Sequence, residues 1–330
     1  MRRLLAMMAA LLLCTGCGVL PGEERCFALV LSADVNNGLF SVCARVPGYQ
    51  EAGSYLTLTG EGDTLQAALA SLDGRAPMRL DYSQLRLVTF GETLAREGHL
   101  TPALTLLLGR ADFRYEAALC VTEASPRAVC DAMAPPTGTR LSKSLDALLD
   151  ARRALGLIPD ATAGDAGRLG TRACAVAAAL TLPEGGGTPQ LEGAWLLNAE
   201  GRATARLSGP ETQLLSLLSG TFRKGVLTLP EGPVTLTNAA VQVTCEDGWA
   251  TVRLRLRHGA TALTPEGAQA AVTEAVFRLS RTLSSAGCDA LGLAREAIRQ
   301  CPDEAAWAAM DWPARYPTLP WRVSVTVAGP

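Results

Sequence analysis

Residues 234–257 read VTLTNAAVQVTCEDGWATVRLRLR. The second half of this stretch decides the fold class. Val252, Leu254 and Leu256 fall on one side of an extended chain, and Arg253, Arg255 and Arg257 fall on the other, because side chains along a strand alternate with a period of two. A strand with one apolar and one charged side is half buried, as in an antiparallel sheet open to water on one face. Residues 226–229 and 234–245 precede it as further strands, with no helical period between them. Strands that follow one another in this way argue for α+β and against a regular βαβ alternation.

The same reading extends in both directions. Thr264-Pro265-Glu266 opens the longest predicted helix, which runs to about Ala286. Residues 288–300 and 303–310 are predicted as further helices and 321–327 as a closing strand. Upstream, 191–197 and 202–207 form a hairpin around the turn at 198–201, and Ser208 caps a helix at 211–218 that Gly220 stops. Residues 174–182 read as a buried strand, and 159–170, rich in Gly, Ala and Asp, as a linker. In the first half, Asn36-Asn37-Gly38 is a strong hairpin turn, since Asn and Gly tolerate positive φ. It joins strands at 25–33 and 39–46. A strand at 55–59 follows. Asp63 is placed as the cap of a helix to residue 72, with Leu65, Ala68, Leu69 and Leu72 on one face. Strands at 85–90 and 115–121 and helices at 92–97, 100–108, 126–133 and 141–155 complete this half. The expectation is an α+β protein of mixed and antiparallel sheets packed with helices, in two to three subdomains. Its division is an N-terminal α+β domain at 17–158, a linker and connecting strand at 159–190, and a C-terminal α+β domain at 191–330.

The first residues carry a different signal. Arg2 and Arg3 precede an apolar run at 4–13, and Cys14-Thr15-Gly16-Cys17 follows. Ten residues make a helix of about 15 Å, half of a ~30 Å hydrocarbon core. The run therefore reads as the core of a signal peptide at 1–16. Small residues directly before Cys17 are similar to a bacterial lipobox, with Cys14 standing where Leu is usual. Cys17 is accordingly the expected lipidation site. A diacylated cysteine gives the two-chain anchoring that a single acyl group lacks. Removal of residues 1–16 takes away two arginines and no acid, leaving 28 basic against 32 acidic residues and a charge of −4. Such a chain is held at anionic lipid by its acyl chains and not by its net charge. The rest of the sequence has no apolar run near the ~18 residues a span requires.

Composition excludes other classes. With 330 residues, 48% hydrophobic and only 19% charged, the chain is too apolar and too weakly charged for disorder. Its 30 Lys and Arg against 32 Asp and Glu show no basic excess, so nucleic acid is not an expected partner. Eight cysteines lie beyond Cys17, and spacing suggests pairs 26–43, 120–130 and 288–301 among many possible connectivities. His99 and His258 are far apart and lack ligand spacing, so no metal is expected. Gly60-Glu61-Gly62 precedes a helix, but Leu65 occupies the place of the third glycine of a dinucleotide fingerprint. No P-loop and no G-x-S-x-G elbow occur. Glu92, Glu97, Glu211 and Asp289 sit near helix ends and read as capping or dipole-compensating groups before they read as a glycosidase pair. Arg253, Arg255 and Arg257 read as a solvated face, with contact to a partner protein or lipid headgroups as the lesser reading. Trp307, Trp312 and Trp321 read as satellite core, then as an interface anchor. No catalytic residue and no cofactor site is expected.

Three stretches resemble one family, the Ger(x)C spore germination lipoproteins, the GerAC-like C subunits of spore germinant receptors. Residues 63–121 contain GETLAREG at 91–98, similar to the family's pattern after a strand. Residues 191–225 are similar to its strand, turn, strand and helix. From Asp289, DALGLA opens a helix as in the family, and a tryptophan helix and a final strand follow. Gly18-Val19 after the lipid cysteine, Ala294 within the DALGLA motif and the extra cysteines depart from the pattern. The resemblance implies a lipid-anchored, non-enzymatic α+β ectodomain on the outer face of the spore inner membrane. It also implies assembly with the A and B membrane subunits of a receptor for small germinants. The competing readings are the solute-binding lipoprotein of a transporter and a lipoprotein hydrolase. The first is disfavoured by the missing βαβ rhythm and few aromatics, the second by the missing nucleophile and base.

Overall fold

The computed structural model describes residues 24–48, 54–136, 138–166, 175–184, 188–246, 248–259 and 263–328. Cys17 and the predicted signal peptide lie outside the described residues, as do Cys174 and the glycines 185–187.

The N-terminal segment forms β1 (Arg25–Phe27), β2 (Val30–Asn36), β3 (Leu39–Pro47), β4 (Tyr55–Gly62), α1 (Leu65–Arg75), β5 (Arg79–Asp81), β6 (Leu87–Gly91), α2 (Glu92–Arg96) and α3 (Leu100–Leu108). The strand expected at 25–33 is two strands, because β1 leaves to pair in parallel with β5 while β2 enters the main sheet. The hairpin of β2 and β3 turns at Asn37 and Gly38, both at positive φ. Helix α1 buries Leu65, Ala68, Leu69 and Leu72, each leucine contributing roughly 2 kcal/mol. Its cap is Thr64 and not Asp63, since the Thr64 hydroxyl accepts from Ala67 N.

The middle of the chain adds β7 (Ala118–Thr122), α4 (Pro126–Ala132), α5 (Leu141–Ala154), α6 (Ala163–Ala166), β8 (Ala175–Thr181), β9 (Gln190–Leu197) and β10 (Ala203–Leu207). Part of the expected linker is built into the body. Ala163 and Ala166 are buried, and Thr162 bridges to Ala118. Together these strands form an eight-stranded sheet in the order β10-β9-β8-β7-β6-β2-β3-β4. Its centre, β2, β6, β7 and β8, is parallel, and antiparallel strands flank it on both sides. Helices cover both faces. Leu31, Val88, Phe90 and Leu119 pack with α1, α2 and α3 on one side. Val30, Cys43, Leu87 and Cys120 pack with α4 and α5 on the other. The expected boundary at residue 191 falls inside this sheet, because β9 is hydrogen bonded to β8.

The remainder is α7 (Gly209–Leu218), β11 (Gly225–Leu227), β12 (Val234–Glu246), β13 (Trp249–His258), α8 (Pro265–Ser285), α9 (Leu293–Arg299), α10 (Glu304–Met310), α11 (Trp312–Arg315) and β14 (Trp321–Ala328). The four-stranded sheet runs β11-β12-β13-β14. Its core joins Val252, Leu254 and Leu256 to Val272, Val276 and Leu279 of α8, and it also takes in Ala194, Leu196 and Leu207 of the first sheet. A single hydrophobic cluster therefore links the two sheets. The overall architecture is the expected one, mixed sheets packed with helices.

Candidate functional site

The open face of β13 is built by the alternation read in the sequence. Val252, Leu254 and Leu256 are buried, while Arg253, Arg255 and Arg257 are exposed. Across the ladder Arg253 pairs with Gln242 and Ser324, Arg255 with Ala240 and Thr326, and Arg257 with Asn238 and Ala328. These flanking residues are exposed and small or polar. The three guanidinium groups rise from positions about 7 Å apart along the strand. Arg253 donates to Glu246 at 3.2 Å, and this hydrogen bond holds the Glu246 carboxyl below its usual range. Among the described residues Arg255 and Arg257 have no ion-pair partner. Arg322 of β14 lies 4.0 Å over the Trp249 ring at the rim of the same sheet.

The carboxylates singled out in the sequence are structural. Glu211 closes a capping box with Ser208: its Oε2 accepts from Ser208 N at 2.8 Å. Glu92 pairs with Arg96, and Glu97 lies 3.6 Å from His99. Asp289 is buried beside the DALGLA turn, where Gly292 takes φ +72°. Its Oδ1 accepts from Leu293 N at 2.8 Å and its Oδ2 from Ala294 N at 2.7 Å. Burial nevertheless outweighs these donors and pushes its pKa up to about 6. The helix expected at 288–300 starts only at Leu293, because residues 289–292 form this turn. His99 packs edge-on against Phe40, and His258 is buried in the other sheet, so the two histidines do not meet.

The glycines of the Gly60-Glu61-Gly62 motif serve packing. A Cβ on Gly60 would stand 2.3 Å from Ala68 O, and one on Gly62 would stand 2.7 Å from Ala68 N. Helix α1 crosses β4 too closely for any side chain there.

None of the three suggested disulfides forms, since Cys43, Cys120, Cys130 and Cys301 are thiols. Cys26 of β1 packs in the core on the α1–α3 side of the eight-stranded sheet, whereas Cys43 packs on the α4–α5 side. Cys43 meets Cys130 of α4 instead, and burial together with this hydrogen-bonded neighbour pushes the Cys130 thiol up. Burial likewise pushes Cys120 up to about 12. Trp312 is buried in a satellite core with Tyr316 and Leu319, and Trp307 stacks on it at 6.0 Å.

Two of the concavities among the described residues bear on a ligand site. One, of about 560 Å³, lies where Asn198 and Glu200 of the β9–β10 turn face Arg281, Ser284, Pro313 and Pro317. The other, of about 450 Å³, runs between α7 and α8 and is lined by Pro210, Leu214, Leu229, Ala275 and Leu279. The capping-box pair Ser208 and Glu211 stands on the wall of the second, where the Ser208 hydroxyl donates to Glu211 Oε2 at 2.7 Å. Among the described residues no three His, Cys, Asp or Glu cluster as a metal site would require.

Gln213 is the residue that sequence reasoning missed. Its Nε2 donates to Leu155 O at 2.9 Å and Val226 O at 2.8 Å, and its Oε1 accepts from Thr228 N at 2.9 Å. A glutamine inside a helix carries no signal of such a role, because its partners are backbone groups distant in sequence.

By architecture the chain is an α+β protein of the kind seen in the crystal structure of the GerBC protein. The two share 15% identity and a TM-score of 0.57 over 91% of this chain and 96% of that one, a likeness of fold. Residues 23–168 match the family described as the spore germination protein N-terminal domain. No curated protein matches the sequence.

Proposed function

We propose that this protein is the C subunit of a spore germinant receptor, a non-enzymatic body held by acyl chains on Cys17 to the outer face of the spore inner membrane. It works there with the A and B membrane subunits to support receptor assembly and nutrient-triggered signalling. The observation that carries the reading is the match of residues 23–168 to the spore germination domain, directly behind the lipobox-like Thr15-Gly16-Cys17. The arrangement of the carboxylates supports the non-enzymatic part, since Glu211 and Asp289 accept from backbone amides at helix starts and Glu92 is paired with Arg96.

The test is crosslinking in dormant spores followed by identification of the bound proteins, with Cys17→Ala alongside. The expected result is capture of two membrane subunits by the natural chain. Cys17→Ala is expected to leave the membrane fraction and slow germination. Capture of a transporter permease instead would favour a solute-binding lipoprotein. A Cys17→Ala chain that stays at the membrane in fully competent spores would refute the anchor.

A further inference from the structure

The geometry points to the open face of β12, β13 and β14 as a surface that rests on anionic phospholipid headgroups through Arg253, Arg255 and Arg257. Three features select this occupant. The first is charge. Arg255 and Arg257 project from the solvated side with no acidic partner among the described residues, while the mature chain carries −4. A body of that net charge is repelled by an anionic surface except where basic groups are concentrated, and this row is such a place. The second is shape and chemistry. The neighbours Asn238, Ala240, Gln242, Ser324 and Thr326 are exposed and small or polar, so the face is shallow and lacks apolar anchors. Protein interfaces centre on buried aromatic and aliphatic residues, and this face offers none at its middle. Guanidinium forks instead match phosphate oxygens two at a time. The third is the rim, where Trp249 lies under Arg322. An amphipathic ring beside a cation suits the headgroup layer.

This inference borrows the acyl tether from the receptor reading only to explain why weak contacts suffice: a tethered body meets the surface at high effective concentration. The face itself is testable without the tether. The full, unacylated chain is mixed with vesicles of phosphatidylcholine alone and of phosphatidylcholine with phosphatidylglycerol, and the bound fraction is measured by co-sedimentation at low and physiological ionic strength. One variant combines Arg253→Gln, Arg255→Gln and Arg257→Gln. The other removes the same charge elsewhere, with Arg127→Gln, Arg281→Gln and Arg299→Gln, whose side chains are also well exposed. Circular dichroism verifies that both remain folded.

The expected result is salt-sensitive preference for the anionic vesicles. It should fall about fivefold per arginine lost from the face, roughly a hundredfold in all, and only slightly in the control variant. Equal losses in the two variants would reduce the effect to net charge and overturn the proposal. So would a natural chain that does not distinguish the two kinds of vesicle. Unchanged vesicle binding with lost capture of receptor subunits in spores would also overturn it, assigning the face to a protein. The vesicle outcomes leave the crosslinking test of the receptor reading, made with the natural chain, untouched.

Discussion

At Gly60 the absence of one carbon decides whether a helix can lie on a strand. Carbonyl and amide groups of α1 would stand 2.3 and 2.5 Å from a Cβ there, and backbone cannot yield as a side-chain tip can. Gly60→Ala is therefore expected to destabilise the fold by about 3 kcal/mol or more, whereas Glu61→Ala, on the exposed side between the two glycines, should be nearly neutral. Urea unfolding of the two variants checks this, and equal midpoints would refute it. Asp289 makes the second prediction at this scale. Its folded pKa, about 6, lies above the ordinary aspartate value near 3.9. The folded state thus binds the proton more tightly, and the buried charge is a penalty that is fully present above pH 6 and gone below about pH 4. Two units at ~1.4 kcal/mol each make this about 3 kcal/mol. Relative to Asp289→Asn, the natural protein should gain that much stability as pH falls from 7 to 4. Parallel stability curves for the two proteins would show that another group titrates.

Elements whose signals are local were legible. The turn at Asn37-Gly38, the buried stripe of α1 and the alternation of β13 depend on neighbours within a few residues, and so does the Ser208 cap. The cap also supports a prediction. Ser208→Ala removes the hydroxyl that accepts from Glu211 N and should cost about 1 kcal/mol, while Ser208→Asn should recover most of it. Thermal melts of both variants decide the matter, and an Asn variant as weak as the Ala one would deny that capping is the cause. Elements formed by distant partners were not legible. Arg79–Asp81 carries too short a pattern to stand out, and it is a strand only because β1 runs beside it. Residues 163–166 looked like linker because small residues mark loops, yet here alanines fit under the sheet. The solvated basic face was read directly from sequence, since exposure follows from alternation. The 26–43 pairing failed for the opposite reason: spacing along the chain does not reveal that the two thiols pack on different sides of the large sheet.

Across the whole molecule, the two sheets are joined by shared core and by buried amide chemistry. Ala194, Leu196 and Leu207 of the first sheet lie in one cluster with α7, α8 and the second sheet. At that junction Gln213 satisfies Leu155 O from the loop after α5, and Val226 O and Thr228 N around β11. Ser216 reinforces it by donating to Gly156 O at 3.1 Å. Gln213→Leu keeps the volume but strands these backbone groups in a buried site, each costing about 1–3 kcal/mol when unmade. The loss should be about 3 kcal/mol, and it should lower the stability of both sheets together because the junction belongs to both. Hydrogen exchange on the variant distinguishes this from a local defect. Amides of β7 and of β13 should lose protection by a similar factor if the junction couples them. If β13 alone exchanges faster, the sheets fold as independent units and the expected boundary near residue 190 would regain its meaning despite the β8–β9 pairing.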